Sequence, residues 1–241
     1  MYHPTFYSEL HFYEQFRKDL EMAQKSVVII SPFITEKRTA AFEDLFRIIL
    51  KKGVNIYVIT KPIKEQGCSA EVFNELKKLG LKILERRYTH EKLAIIDNRI
   101  IWHGSLNILS HRNTQELMIR LVLRDELIQE ILKLCGINMV EIDREIYEKQ
   151  KLEEINKIGI GTCPRGHKMI VKRGKHGLFM SCSNFPNCKE TVPISEEVLI
   201  NIYGEKYLIC DRCGARLKIK YNPKTKNRFL RCPECKLNKN I

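Results

Sequence analysis

Four cysteines near the end of the chain limit its fold more than any other feature. Cys210-Asp211-Arg212-Cys213 and Cys232-Pro233-Glu234-Cys235 are separated by 18 residues. Two C-x2-C turns at that spacing bring four thiolates to one point, and a tetrahedral zinc ion is the group suited to hold them there. The stretch between must run out and back, as a small ribbon closed at its base by metal. A reducing cytosol disfavours disulfides, the rival use of paired cysteines.

A second set lies upstream. Cys163-Pro164-Arg165-Gly166-His167 begins as the other turns do, but Gly166 stands where the second cysteine is expected. His167 is the obvious replacement, completing a ligand set with Cys182 and Cys188; the alternative is a ribbon that has lost its metal. The run GKHGLFMSCSNFPNC, residues 174–188, resembles the C-terminal zinc-ribbon repeat of bacterial type IA topoisomerases. That resemblance implies a topoisomerase-type ribbon over 159–195 that binds single-stranded DNA, with the four-cysteine ribbon following over 205–241. In the first ribbon Lys172, Arg173 and Lys175 are placed to face phosphates. Phe179 and Phe185 either stack on bases or fill a small core. In the second, Arg216, Lys218 and Lys220 alternate along an expected strand, and Lys224, Lys226, Arg228 and Arg231 extend the basic edge. Cys68 and Cys135 are isolated and need only packing roles.

Charge divides as the cysteines do. Of a formal +13, residues 1–150 carry 23 Lys/Arg against 21 Asp/Glu, whereas residues 151–241 carry 19 against 8. Thiolates on two zinc ions would lower the tail by about three units and leave it clearly positive. A basic, metal-bound appendage calls for a polyanion, most simply nucleic acid. The first twenty residues lack a basic region followed by an apolar core, and the apolar run Val27–Ile34 is too short to cross a bilayer. The expectation is a soluble, cytoplasmic protein with no membrane partner.

Segment 1–150 alternates two periodicities. Ser26–Ser31, Val54–Thr60, Leu81–Leu84, Leu93–Ile96, Arg99–His103 and Glu116–Val122 read as strands. Glu36–Lys52, Ser69–Leu79 and Asp125–Cys135 read as helices, with Gly53 and Gly80 as stops. Strands alternating with helices predict an α/β sandwich. The expected organisation is a core domain over 1–136, a linker helix over 137–158, and the two zinc-ribbon modules.

The chemistry concentrates at His90-Glu91-Lys92, then Asp97, then Gly104-Ser105-Leu106-Asn107, the pattern H-x-K-x4-D-x6-G-S-x-N. A chance match to all six fixed positions in one chain is on the order of a few in a million. His90 and Lys92 are two apart, so on a strand they share a face. An imidazole serves as nucleophile or proton donor near neutral pH, and an ammonium beside it stabilises phosphoryl oxygens. Gly104 permits close backbone approach, while Ser105 and Asn107 offer donors.

This pattern, with Ser31–Ile34 and the strand–helix order, resembles the phospholipase D superfamily over most of residues 25–135. The wording around GSLNILSHRNTQE is similar to nuclease-like members that accompany helicases and restriction or defence systems. The resemblance implies a phospholipase D-like α/β sandwich and a metal-independent phosphodiesterase. His90 would attack phosphorus and form a covalent phosphohistidine, while Lys92 and Asn107 bind phosphate with help from Ser105. Glu116 lies where the family places a carboxylate that orients the histidine, and Asp97 reads as a structural ion-pair or hydrogen-bonding residue rather than a proton carrier. Arg112, beyond the motif, is placed to contact substrate, and Trp102 reads as core. The family's mechanism uses a second such histidine to protonate the leaving oxygen; with one motif here, the resemblance implies that it comes from another copy, in a homodimer with a shared site. The substrate expectation is nucleic acid, DNA favoured. The alternatives are a non-catalytic nucleic-acid-binding adaptor and, from the wider superfamily, a phospholipase.

Overall fold

The computed structural model describes residues 3–66, 70–110, 115–225 and 227–241. Cys68, His111, Arg112 and Lys226 lie outside them, as does Ser69 at the expected start of a helix. The chain divides into two compact units, 1–142 and 143–241.

The first unit is built on a seven-stranded sheet. In chain order it comprises β1 (Thr5–Ser8), α1 (Glu9–Glu21), β2 (Ser26–Ile30), α2 (Glu36–Lys51), β3 (Asn55–Thr60), α3 (Ala70–Leu79), β4 (Lys82–Glu85), β5 (Leu93–Ile96), β6 (Ile100–Gly104), β7 (Leu117–Val122) and α4 (Asp125–Leu134). The strand order is β1-β7-β6-β5-β2-β3-β4. β2, β3 and β4 run parallel, each reached through a helix, and the β5–β6–β7–β1 half is antiparallel. The expected strands and helices are present with ends shifted by a residue or two. β1 and α1 are additional.

Period-two alternation explains the double-sided burial. Val27, Ile29, Ile56, Val58, Ala94, Ile96, Trp102 and Met118 point into one core with Phe12, Phe16, Leu20, Phe42, Phe46 and Ile49 from α1 and α2. Phe12, Phe16 and Leu20 recur every four residues, so α1 presents a single apolar stripe. Each such side chain contributes about 1.5–3 kcal/mol by leaving water. The alternate residues Val28, Ile30, Ile59, Leu93, Ile95 and Ile101 are buried too. Beneath the aromatic cluster Asp19 of α1, 2% exposed, accepts from Trp102 Nε1 at 2.8 Å and from Arg120 Nε at 2.7 Å and Nη2 at 2.9 Å.

Helix α5 (Met139–Ile158) straddles the division between the units. The second unit continues with β8 (Met169–Gly174), β9 (Gly177–Cys182), β10 (Thr191–Pro193), α6 (Glu196–Tyr203), β11 (Lys218–Asn222), β12 (Asn227–Arg231) and β13 (Asn238–Asn240). Each ribbon is a three-stranded antiparallel sheet, ordered β10-β9-β8 and β11-β12-β13. The two are not separate beads. Val171 and Leu178 of the first, Leu217 and Leu230 of the second, and Val198, Leu199 and Ile202 of α6 form one apolar core. Ser195 caps α6 by accepting from Val198 N at 3.3 Å.

Candidate functional site

The strands of the first unit bring His90, Lys92 and Gly104–Asn107 to one end of the sheet. β5 begins at Leu93, so His90 and Lys92 stand in the loop leading into it, not on the strand as the spacing predicts. The reason is local. Glu91 turns its carboxylate back to accept from the His90 backbone N–H at 2.8 Å and from Arg86 Nη2 at 3.0 Å. Lys92 Nζ donates to the His90 carbonyl at 3.0 Å, and His90 is exposed.

The β5–β6 hairpin brings the second half of the motif alongside. Gly104 N donates to the Lys92 carbonyl at 3.4 Å, and His103 Nδ1 lies 3.1 Å from the same oxygen. A Cβ on Gly104 would fall 2.1 Å from the Leu117 carbonyl oxygen, so only glycine lets β7 approach this closely. Ser105 N donates to that carbonyl at 3.0 Å and Ser105 Oγ accepts from Leu117 N at 3.2 Å, which leaves the hydroxyl proton free to donate outward. Asn107 follows with its Oδ1 buried and without a hydrogen-bond partner among the described residues. Its backbone carbonyl accepts from Ser110 N at 2.9 Å. Ser31 Oγ, fully buried, accepts from Leu109 N at 3.1 Å and ties the end of β2 to the same loop.

Asp97 is placed elsewhere. It lies at the opposite end of β5 and, with Asn98, adopts left-handed backbone (φ 54° and 51°) in the three-residue turn, 97–99, that joins β5 to β6. Its carboxylate accepts from the N–H groups of Gln24, Lys25 and Ser26 at 2.9, 2.7 and 3.0 Å. Glu116 precedes β7 beside Tyr13 of α1. Burial raises the Tyr13 phenol well above its ordinary value, Arg38 opposes this, and Glu9 and Glu116 add to it. Arg38 stacks on the Tyr13 ring at 3.6 Å, and Tyr13 Oη donates to the Ile108 carbonyl at 3.3 Å.

Sequence reasoning missed the Arg86–Glu91 link. Arg86 also donates to the Cys135 carbonyl at 2.7 Å and to Thr89 Oγ1 at 3.3 Å, pinning the histidine loop to the end of α4. Burial pushes the Glu91 carboxyl up, but the N–H groups of Glu91 and His90 and the Arg86 guanidinium outweigh it, so the group stays ionised below its usual range.

In the tail both ligand sets assemble. Cys163, His167, Cys182 and Cys188 converge, as do Cys210, Cys213, Cys232 and Cys235, with the donor atoms of each set within 4.8 Å of one another. Sulfur pairs lie at 3.5 Å (Cys210–Cys235), 3.4 Å (Cys213–Cys232) and 4.0 Å (Cys163–Cys188), and Cys163 Sγ is 3.6 Å from His167 Nδ1. Tetrahedral zinc at ordinary Zn–S lengths separates its ligands by about 3.8 Å, so both sets fit that ion. Burial opposes ionisation of Cys232, yet the Cys235 N–H, the neighbouring Cys213 sulfur and the Glu234 N–H pull its thiol down to about 6.

The basic residues divide. Lys172 pairs across the sheet with Phe179, and its ammonium sits 5.2 Å from the ring centre of the exposed Phe185. Arg173 turns to the other face, where it pairs with Glu148 and reaches Tyr203 Oη at 3.3 Å. Arg216 contacts Glu196 at 3.4 Å and Glu205 at 3.8 Å. Lys218 and Lys220 share a face of β11, opposite Arg231 and Phe229. The second ribbon thus repeats the first: Lys220 faces Phe229 as Lys172 faces Phe179, each phenylalanine three residues before a ligand cysteine. Phe229 was legible only through that repeat. A cleft of about 590 Å3 runs beside Phe179, walled by Val192 and Pro193 and rimmed by Lys175, His176 and Arg228.

Residues 16–134 match the family model described as a cardiolipin synthase, PLD-like domain, and residues 160–197 and 208–241 match the topoisomerase DNA binding C4 zinc finger. The first of those ribbons departs from four cysteines through His167. A DNA topoisomerase 1 of Thermoplasma acidophilum is 24% identical over 92% of this chain, which spans 28% of that relative's length. Among solved structures, the phospholipase D family member Nuc from Salmonella typhimurium aligns with a TM-score of 0.47 at 14% identity, covering 55% of this chain and 91% of that one. NucT from Helicobacter pylori aligns at 0.45 and 17%, covering 56% and 93%. The chain therefore carries a phospholipase D-like domain followed by topoisomerase-type zinc ribbons.

Proposed function

We propose that this protein is a metal-independent phosphodiesterase that cleaves nucleic acid, DNA foremost, at His90. The supporting observation is the backbone contact of Gly104 N with the Lys92 carbonyl, which sets the loop carrying His90 and Lys92 next to the one carrying Ser105 and Asn107 at the same end of the sheet. No helix among the described residues is long and apolar enough to cross a membrane.

In this reading a His90 ring nitrogen attacks phosphorus and the bond to the leaving oxygen breaks. That oxygen takes a proton from the equivalent histidine of a second copy. Water then attacks the phosphohistidine, the second imidazole accepts its proton, and His90 is released neutral. Lys92, Ser105 and Asn107 balance the charge on the non-bridging oxygens. The ribbons hold the strand through Lys172, Lys175, Lys218 and Lys220, and zinc there is structural.

The test incubates the purified full chain with single- and double-stranded DNA in excess EDTA, in assays short enough to spare the ribbons. Cleavage should survive chelation and fall by at least about 100-fold in His90→Ala and in Lys92→Ala. A requirement for magnesium, or salt-sensitive binding with no cleavage of any nucleic acid, would overturn the proposal.

A further inference from the structure

Between β4 and β5 the loop makes a tight turn at Arg87–Tyr88, and Tyr88 adopts left-handed backbone with φ 62°. Glycine or asparagine suits that conformation, and a bulky side chain there is strained. The strain is not offset by packing, because Tyr88 is 92% exposed. Nor is the loop slack. Thr89 is buried and donates its hydroxyl proton to the Arg86 carbonyl at 2.8 Å, Arg86 N donates to the Thr60 carbonyl at 2.8 Å, and Arg86 is fixed to Cys135 and Glu91. The fold thus holds an aromatic ring out in water, on unfavourable backbone, two residues from His90.

A residue that weakens the fold and buries nothing within it has its use outside the chain. Two residues apart, the Cα atoms of Tyr88 and His90 are at most about 7 Å distant, which is the span of one nucleotide. A ligand that puts a phosphate against His90 and Lys92 and a flat apolar ring alongside is a nucleic-acid strand with an unpaired base. We infer that Tyr88 is a stacking platform for the nucleobase next to the reacting phosphate, selecting single strands or frayed ends without reading sequence, since every base offers a π-face. This rests on the reading of His90 and Lys92 as a phosphodiesterase site.

The experiment scans single-stranded oligonucleotides carrying one 2-aminopurine, whose fluorescence is quenched on stacking, in a His90→Ala background, with steady-state cleavage measured in the His90 protein. Quenching should appear at one position, persist in Tyr88→Phe and Tyr88→Trp, and vanish in Tyr88→Ala and Tyr88→Asn. Those last two should raise KM for single strands about tenfold, with kcat changed less. Tyr88→Asn, suited to the backbone, should melt no lower than the parent, whereas a merely structural tyrosine would lose stability. Unchanged quenching and KM in Tyr88→Ala, in a protein that cleaves DNA, would overturn this inference and leave the site's reading intact. A parent protein that cleaves no nucleic acid, or only a phospholipid, overturns both.

Discussion

Glu91 stands between the motif's histidine and lysine, and its carboxylate holds the His90 backbone to Arg86. Its folded-state acidity is enhanced, so its contribution is complete above the ordinary value of 4.5 and is lost as pH falls through the lower folded value. Glu91→Gln should therefore lower stability at pH 7 by about 1 kcal/mol or less, solvent screening considered. The gap to the parent protein should narrow progressively as pH falls below 4.5, as read by urea denaturation across pH. An equal gap at both ends would show that the charge is irrelevant. None of this was legible in the sequence, because only the fold aims Arg86 at both the Glu91 carboxylate and the Cys135 carbonyl. Asp97 was more readable: an Asp-Asn pair between two β-branched runs is a hairpin turn, and the three N–H groups it meets follow from β2 pairing with β5.

Among elements, the strands of the sheet were readable because each is a short apolar run ended by glycine or polar residues. β1 was not. It is four residues at the sheet edge, and its partner β7 lies more than a hundred residues on, so nothing local marks it. Helix α1 carries its own signal in Phe12, Phe16 and Leu20, but its most consequential residue, Asp19, looks like any surface acid until Trp102 and Arg120 arrive from β6 and β7. Removing it by Asp19→Ala would strand the Arg120 charge and the indole N–H against an apolar wall. Arg120 keeps some exposure, so the expected loss sits at the low end for a buried pair, about 3 kcal/mol, measured by chemical denaturation. Asp19→Asn, which retains an acceptor for Trp102, should lose less. Equal losses would mean that the ion pair contributes nothing beyond the hydrogen bond to Trp102. In the tail the cysteine spacing fixed the knuckles in advance, whereas α6 went unread because Ile194–Tyr207 looks like a connector.

At the scale of the whole chain, that connector decides how the tail behaves. Leu199 is fully buried in the core common to both ribbons and is not itself a candidate metal ligand. Leu199→Ala should cost about 2–5 kcal/mol and hasten zinc transfer to a chromogenic chelator from both ribbons together, since each loses the same support. Faster release from one ribbon alone would show that they fold independently. The common core has a further consequence. The Lys172–Phe179 and Lys220–Phe229 pairs are mounted on one solid block, so the gap between them is a constant of the protein, like the jaws of a fixed gauge. A strand that grips both must be long enough to bridge that gap, and a shorter one is held at a single jaw.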